Sequence, residues 1–357
     1  MGGEFRERTV TSLTLRGREG YVKDRRQMDK FLSWLVLPFK ESLFEEARGE
    51  VKKTTDAMPD KKDTNKPAYR PKTFEEYIGQ NKAKEILKNY IMGCRKRNMV
   101  FPHILIQGVP GSGKTTLANI IINYLGGNYI SVIGSEIPKD YDFTPNINRL
   151  EGGQYYIDEI HSVERNIVEK LYPIMEDFKD VTPFTLIGST TELGEMIKDR
   201  EPFVDRFKIV IELERYTIDE LVCIVTQYKT HLFPNENLPN TTYSILAQNC
   251  RFTPRVLLRL LDATIQFDGD VKKVLKSFGI IRDGLNTNDL KVLQYIGSSS
   301  SGVGFKNIAT YIDTSTENYL YSIEPFLLQN NYIVTTARGR KITELGKKTI
   351  EELLPIM

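Results

Sequence analysis

Three stretches of this chain carry residue types suited to phosphate and water chemistry. The first, GVPGSGKTT, spells G-x-x-x-x-G-K-T with Gly108, Gly113, Lys114 and Thr115. In such a loop the backbone N–H groups wrap phosphates, the lysine reaches the terminal phosphates and the threonine hydroxyl takes a Mg²⁺ position. It stands between an apolar run, HILIQG, and a helical pattern, GKTTLANIIINYLG, the strand–loop–helix context the motif requires. Gly108, Val109, Pro110, Gly111, Ser112, Gly113, Lys114, Thr115 and Thr116 are therefore assigned to a cradle for ATP. The second stretch, QYYIDEIHSVE, ends an apolar strand in Asp158, Glu159 and His161. There Asp158 would hold Mg²⁺ through water, and Glu159 would polarise the attacking water. The third, FTLIGSTT, closes a further buried strand with Thr190, placed to sense a γ-phosphate.

DEIH admits other chemistry. A metal box would need its ligands on one helical face, whereas these acids end a strand downstream of a phosphate loop. A two-lobed helicase would need a second nucleotide lobe and a late arginine-rich motif, for which the chain has no room. Beyond the acidic strand stands EPFVDRF instead, with Arg206 where one subunit could present a guanidinium to its neighbour's nucleotide. RFTPR then offers Arg255 to reach back to the phosphates. An isolated arginine reads as surface charge; the order of loop, acidic strand, polar sensor and two arginines reads as an AAA+ ATPase.

The elements that must position these residues are set out by periodicity. From Tyr69 to about residue 213, helix and strand signals alternate: FEEYIGQNKAKEILKNYIMGC reads as helix, and HILIQG, YYIDEI and FTLIGST as strands. That alternation predicts an α/β domain with a parallel sheet. From Thr217, an N-cap before IDEL, to about Gly279 the signals are helical. Residues 285–357 read as three helices and a hairpin around ARGRK, with SSSSG as a loop. The expected division is 1–66 as an extension, 67–213 as the nucleotide-binding α/β domain, 214–284 as a helical lid and 285–357 as a winged helix.

Composition narrows the class. The 357 residues carry a net charge of only +2, so no global basic field announces nucleic acid. FLSWLVLPF is too short to span a bilayer and is broken by Pro38. The N-terminus has no apolar block of the secretory kind, which points to a cytoplasmic protein. Cys94, Cys223 and Cys250 lack metal or disulfide spacing and are expected as buried thiols. The segment around Trp34 could form an amphipathic helix interrupted at Pro38.

YRPKTFEEYIGQ, GVPGSGKTTLANII, YYIDEIH, LYPIMEDF, PFTLIGSTT and FTPRVLLRLL together resemble the RuvB family, from about Tyr69 to the C-terminus. The stretch YSIEPFLLQNNYIVTTARGRKITELG is similar to that family's winged-helix module. The resemblance implies an AAA+ P-loop domain, a helical lid and a winged helix, working as a hexameric ring that drives branch migration of Holliday junctions with ATP and Mg²⁺. It assigns Lys114, Thr115, Asp158, Glu159, Thr190, Arg206 and Arg255 the roles above. It also puts Tyr77 and Ile78 at the adenine, with Tyr216 closing that pocket. Independently of it, Thr335 to Lys348 holds five basic residues and one acidic residue. Arg338 and Arg340 are expected at the tip of this wing, with Lys341 beside them, to enter a minor groove or clamp phosphates, contacts without sequence choice.

Three departures stand out. Residues 1–66 have no counterpart in the family pattern, and Val204 replaces an arginine. MEDFKDVTPFTLIG joins helix to strand with hardly a turn, where family members carry a long hairpin that grips RuvA. A RuvA-type partner is therefore not expected in the family manner. The sequence reading is an ATP-driven DNA motor. Its rivals are a clamp-loader-like switch and a winged-helix DNA-binding regulator whose nucleotide site controls assembly.

Overall fold

The computed structural model describes residues 69–353. The extension 1–66 and its Trp34 segment lie outside the described residues. Two compact units result: Lys82–Gln107 with Ala118–Glu212, and residues 69–81 with Gly108–Leu117 and 213–353.

The first unit is built on a parallel sheet of β1 (Ile104–Gln107), β2 (Tyr129–Ile133), β3 (Gln154–Asp158), β4 (Thr185–Thr190) and β5 (Ile209–Glu212), in the order β2-β3-β4-β1-β5. β4 is buried along its whole length, and β1 and β3 are buried except at their last residues. Strands covered on both faces read as continuous apolar runs, which is why these three were legible. β2 and β5 were not, because they are edges: β5 alternates buried and exposed, and Ile133 and Val210 face outward. Register aligns Gln107 with Thr190 and Ile133 with Asp158, so four neighbouring strands deliver their ends along one carboxyl edge.

Helix α1 (Asn81–Arg97) is shorter than expected. FEEYIGQ is not helical, because Gly79 and Gln80 both have positive φ, and Gln80 pairs its side chain with the backbone of Glu214 at 2.7 and 2.9 Å. α2 (Lys114–Leu125) follows the phosphate loop, and α3 (Thr144–Arg149) precedes β3. α4 (Arg165–Asp177) buries Ile167, Val168, Leu171, Ile174 and Met175 as one stripe. It stops at Phe178, which takes the left-handed conformation. Residues 178–184 then run directly into β4 with no paired strands. They are tied down by Asn148, which donates to Asp180 O and accepts from Thr182 N, and by Phe178 and Phe184 against the ring of His103. α5 (Leu193–Val204) leads into β5.

The second unit holds four lid helices, α6 (Ile218–Leu232), α7 (Asn240–Asn249), α8 (Pro254–Gln266) and α9 (Val271–Ser277). They pack on Leu221, Val225, Leu246, Leu257 and Leu260. Thr217 and Glu220 close the expected capping box of α6. An unexpected hairpin, β6 (Ile280–Arg282) with β7 (Leu285–Asn286), leads to the winged helix. The latter comprises α10 (Thr287–Gly297), α11 (Phe305–Tyr311), α12 (Thr316–Asn318), a π-turn at Tyr319–Ile323, α13 (Glu324–Gln329), the wing β8 (Ile333–Thr336) with β9 (Gly339–Ile342), and α14 (Glu344–Leu353). Of the three cysteines expected to be buried only Cys250 is, and burial pushes its thiol up to about 11; Cys223 is exposed on the outer face of α6. No described helix is long and apolar enough to cross a membrane.

Candidate functional site

At the carboxyl edge of the sheet, β3 hands over to a 3₁₀ turn through Glu159, whose φ of 50° and ψ of 52° turn the chain sharply. Its carbonyl is fixed by Ser162, which donates through N at 2.9 Å and through Oγ at 2.7 Å. A Cβ at Gly134 would lie 2.5 Å from that carbonyl, so only glycine fits there. Asp158 accepts from Ser189 Oγ on the neighbouring β4, and the Tyr156 hydroxyl holds Ser189 Oγ at 3.1 Å. Thr190 Oγ1 accepts from Glu192 N at 3.0 Å and lies 3.1 Å from His161 Nδ1. Asp158, Glu159, His161 and Thr190 thus converge on one edge.

The phosphate loop belongs to the second unit, together with Tyr77, Tyr216 and Arg255. Gly111 and Gly113 have φ of 80° and 102°, a region that glycine alone enters without strain. A Cβ at Gly111 would lie 2.7 Å from Arg255 Cβ, and one at Gly113 2.8 Å from the Tyr77 hydroxyl. Tyr216 Oη donates to Ser112 O at 3.1 Å and sits 3.3 Å from Tyr77 Oη. Both phenols are raised above the ordinary tyrosine value chiefly by burial, so they act as neutral donors. Ile78 is half-buried against the lid core. Lys114 is buried, its ammonium donating to Gly108 O at 2.9 Å. The Ser112 hydroxyl is buried with no protein partner. A glycine cradle too tight for any Cβ, a buried ammonium and an orphaned hydroxyl form a donor set that fits a polyphosphate.

Two arginines meet partners within the chain that the sequence did not specify. Arg206 folds onto its own chain, pairing with Glu176 Oε2 at 3.0 Å and lying 4.5 Å from the Tyr172 ring centroid. Val204, beside it, is buried in the core. Arg340 is not at the tip of the wing. It is the second residue of β9, pairs across from Thr335, and closes a bidentate ion pair with Glu324 of α13. The side chains are 15% and 6% exposed. The alternation of a two-stranded hairpin turns Arg340 inward while Arg338, in the turn, and Lys341 stay exposed. The tip expectation is corrected accordingly for Arg340.

Sequence reasoning missed Ser189 and Glu192 as partners of Asp158 and Thr190. The signal was available in the polar run STTE ending an apolar strand, but only the register of β3 and β4 says which acid each hydroxyl meets.

The family model "Holliday junction DNA helicase RuvB P-loop domain" matches residues 69–213, and "RuvB C-terminal winged helix domain" matches 282–351. The Holliday junction branch migration complex subunit RuvB of Kosmotoga olearia is 37% identical over 304 residues, covering 77% of this chain and 87% of the relative. The chain belongs to the RuvB family. The counterpart from Mycoplasmopsis pulmonis is 32% identical over 317 residues, covering 81% of this chain and 99% of its own length. Among solved structures, the Thermotoga maritima RuvB Holliday junction branch migration motor superposes with a TM-score of 0.68 at 33% identity, covering 79% of this chain and 98% of that RuvB chain.

Proposed function

We propose that this protein is an ATP-driven motor that moves duplex DNA to migrate Holliday junctions, acting in the cytoplasm as a ring of copies, with six as the expected number. The observation that carries the reading is the approach of Arg255 to Gly111, because it ties a lid arginine to the phosphate cradle within one compact unit. In this reading Gly108 to Thr116 wrap the phosphates, and Tyr77, Ile78 and Tyr216 flank the adenine. Thr115 and Asp158 would hold Mg²⁺, which neutralises phosphate charge when bound. Glu159 orients the attacking water and Thr190 senses the γ-phosphate. Arg206 serves the neighbouring subunit's nucleotide. To do so it would leave Glu176 and the Tyr172 ring. Arg338 and Lys341 supply the phosphate contacts to DNA. The division into 1–66, 67–213, 214–284 and 285–357 is the working domain map.

Residues 178–184 leave no room for two paired strands and their turn. The motor is accordingly proposed to engage DNA without a RuvA partner docked in the family manner. The test is migration of a labelled four-way junction by the full chain, with Lys114→Ala and Glu159→Gln beside it. Lys114→Ala should lose nucleotide binding; Glu159→Gln should keep binding and nearly abolish turnover and migration. Wild-type turnover by Glu159→Gln, or no migration by the active ATPase, would count against the reading. Tight capture of a RuvA protein from the same source would overturn the partner proposal.

A further inference from the structure

The backbone around Glu159 is locked, but its carboxylate is not. The carbonyl is held by Ser162, whereas the side chain is 40% exposed. Among the described residues the carboxylate has two polar neighbours, the Thr191 hydroxyl at 3.5 Å and His161 Nδ1 at 3.4 Å. His161 is the less mobile of the two, being 17% exposed. Its ring sits between Glu159 and Thr190 on one side and Glu192 on the other, with Nε2 3.7 Å from Glu192 Oε1.

One atom, His161 Nδ1, therefore faces both the proposed water-orienting acid and the proposed γ-phosphate sensor. It lies closer to Thr190, at 3.1 Å. Thr190 Oγ1 accepts from Glu192 N and keeps its own proton, which Nδ1 accepts when the ring hydrogen is on Nε2. An imidazole that accepts at Nδ1 carries its hydrogen on Nε2, on the side of Glu192. In that tautomer Nδ1 offers Glu159 only a lone pair and gives its carboxylate no hydrogen bond. If a phosphate oxygen instead takes the Thr190 proton, Nδ1 loses its donor. The other tautomer, with the hydrogen moved from Nε2 to Nδ1 through solvent, can then donate to Glu159 Oε2. The exchange moves one ring hydrogen and leaves the number of protons unchanged.

We propose that His161 is a positioning residue that couples phosphate sensing at Thr190 to the orientation of Glu159, through an Nδ1 that serves one or the other. The inference rests on Glu159 as the water-orienting group and Thr190 as the sensor, and it adds the link between them. It explains why the histidine stands two residues beyond Glu159: the left-handed turn brings the ring back over the strand end.

The test is steady-state hydrolysis and nucleotide affinity of the full chain carrying His161→Ala, His161→Asn or His161→Gln, alongside Glu159→Gln and Thr190→Val. An asparagine amide reaches the place of Nδ1, and a glutamine amide that of Nε2. We expect kcat to fall roughly 10- to 100-fold in His161→Ala and His161→Gln, the scale of a misplaced catalytic group, with nucleotide affinity and KM unchanged. His161→Asn should recover most of that loss. Adding His161→Ala to Thr190→Val should cost little more than Thr190→Val alone, because the coupling is already broken. Near-wild-type kcat in His161→Ala, equal losses in the alanine and asparagine variants, additive losses with Thr190→Val, or a loss confined to KM would each overturn the proposal. Wild-type turnover by Glu159→Gln would instead remove the reading beneath it, so the two failures are distinct.

Discussion

Arg251 is one of several contacts between the lid and the winged helix, beside Asn249 to Gly284 N and Arg215 to Asn330, and replacing it tests how much its buried pair is worth. Its Nε donates to Gly284 O at 2.9 Å, its Nη2 pairs with Asp289, and its guanidinium lies 4.4 Å from the Phe326 ring centroid. The Asp289 side chain is 0% exposed, and burial raises its carboxyl above the ordinary value against the opposing pull of Arg251. Removing one partner of a buried pair costs ~3–5 kcal/mol. The low end applies here, since Asn286 N still donates to Asp289 Oδ2 at 2.7 Å after Arg251→Ala. A loss of ~3 kcal/mol corresponds to roughly 100-fold faster hydrogen exchange at amides that open with this junction. The measurement is exchange mass spectrometry of the full chain, read over α10 and the β6–β7 hairpin. The pH dependence carries a sign. A carboxyl whose folded pKa is raised favours the folded state below its unfolded value, and that contribution is lost as pH rises through the folded value. Without Arg251 the upward shift is unopposed, so the defect should be larger at pH 8 than at pH 5. Unchanged protection, or a loss that ignores pH, would refute this account of the junction.

Arg206→Ala subunits mixed with Lys114→Ala subunits should recover hydrolysis at mixed interfaces, since a guanidinium supplied by a neighbour can be worth ~10³-fold or more. No recovery in verified co-assemblies would remove the trans role. Arg338→Ala with Lys341→Ala should weaken duplex binding alike across sequences and flatten its salt dependence by about two phosphate contacts, read by titration at several salt concentrations. Arg340→Ala should instead loosen the winged helix, because it strands the buried Glu324, and thermal melting distinguishes the two. His103 accepts from Leu186 N at 2.8 Å and faces Met175 O at 3.2 Å, and burial lowers its pKa to about 4. A histidine lowered from about 6.5 to about 4 contributes stability above the unfolded value and loses it as pH falls, ~3 kcal/mol in all. Its NMR titration should show a neutral ring down to near pH 4, and a midpoint near 6.5 would contradict the burial argument.

The parts of this protein whose physics is local could be read directly from the chain. A phosphate loop is written in consecutive residues, because glycine φ freedom and a lysine one step on are properties of the loop itself. The buried strands β1, β3 and β4 announced themselves as apolar runs, and the capping box at Thr217 and Glu220 spans a single helical turn. With these the AAA+ and winged-helix architecture and the RuvB family were legible. The edge strands were not, because half of their side chains face outward and their pattern is diluted. Nor was the end of the FEEYIGQ segment, where a left-handed Gln80 is held by Glu214 from far along the chain.

What each polar side chain meets was settled by packing in three dimensions. Arg340 reads as a wing-tip cation in sequence, yet hairpin alternation turns it onto Glu324, 16 residues earlier. Arg255 and Gly111 come together because the lid returns to the loop, and His161 reaches Thr190 because β3 and β4 lie side by side in a fixed register. Spacing along the chain sets backbone conformation within a turn or two. The partner of a charge or a hydroxyl is set by contact between distant segments, and a buried polar group takes whichever partner that contact supplies.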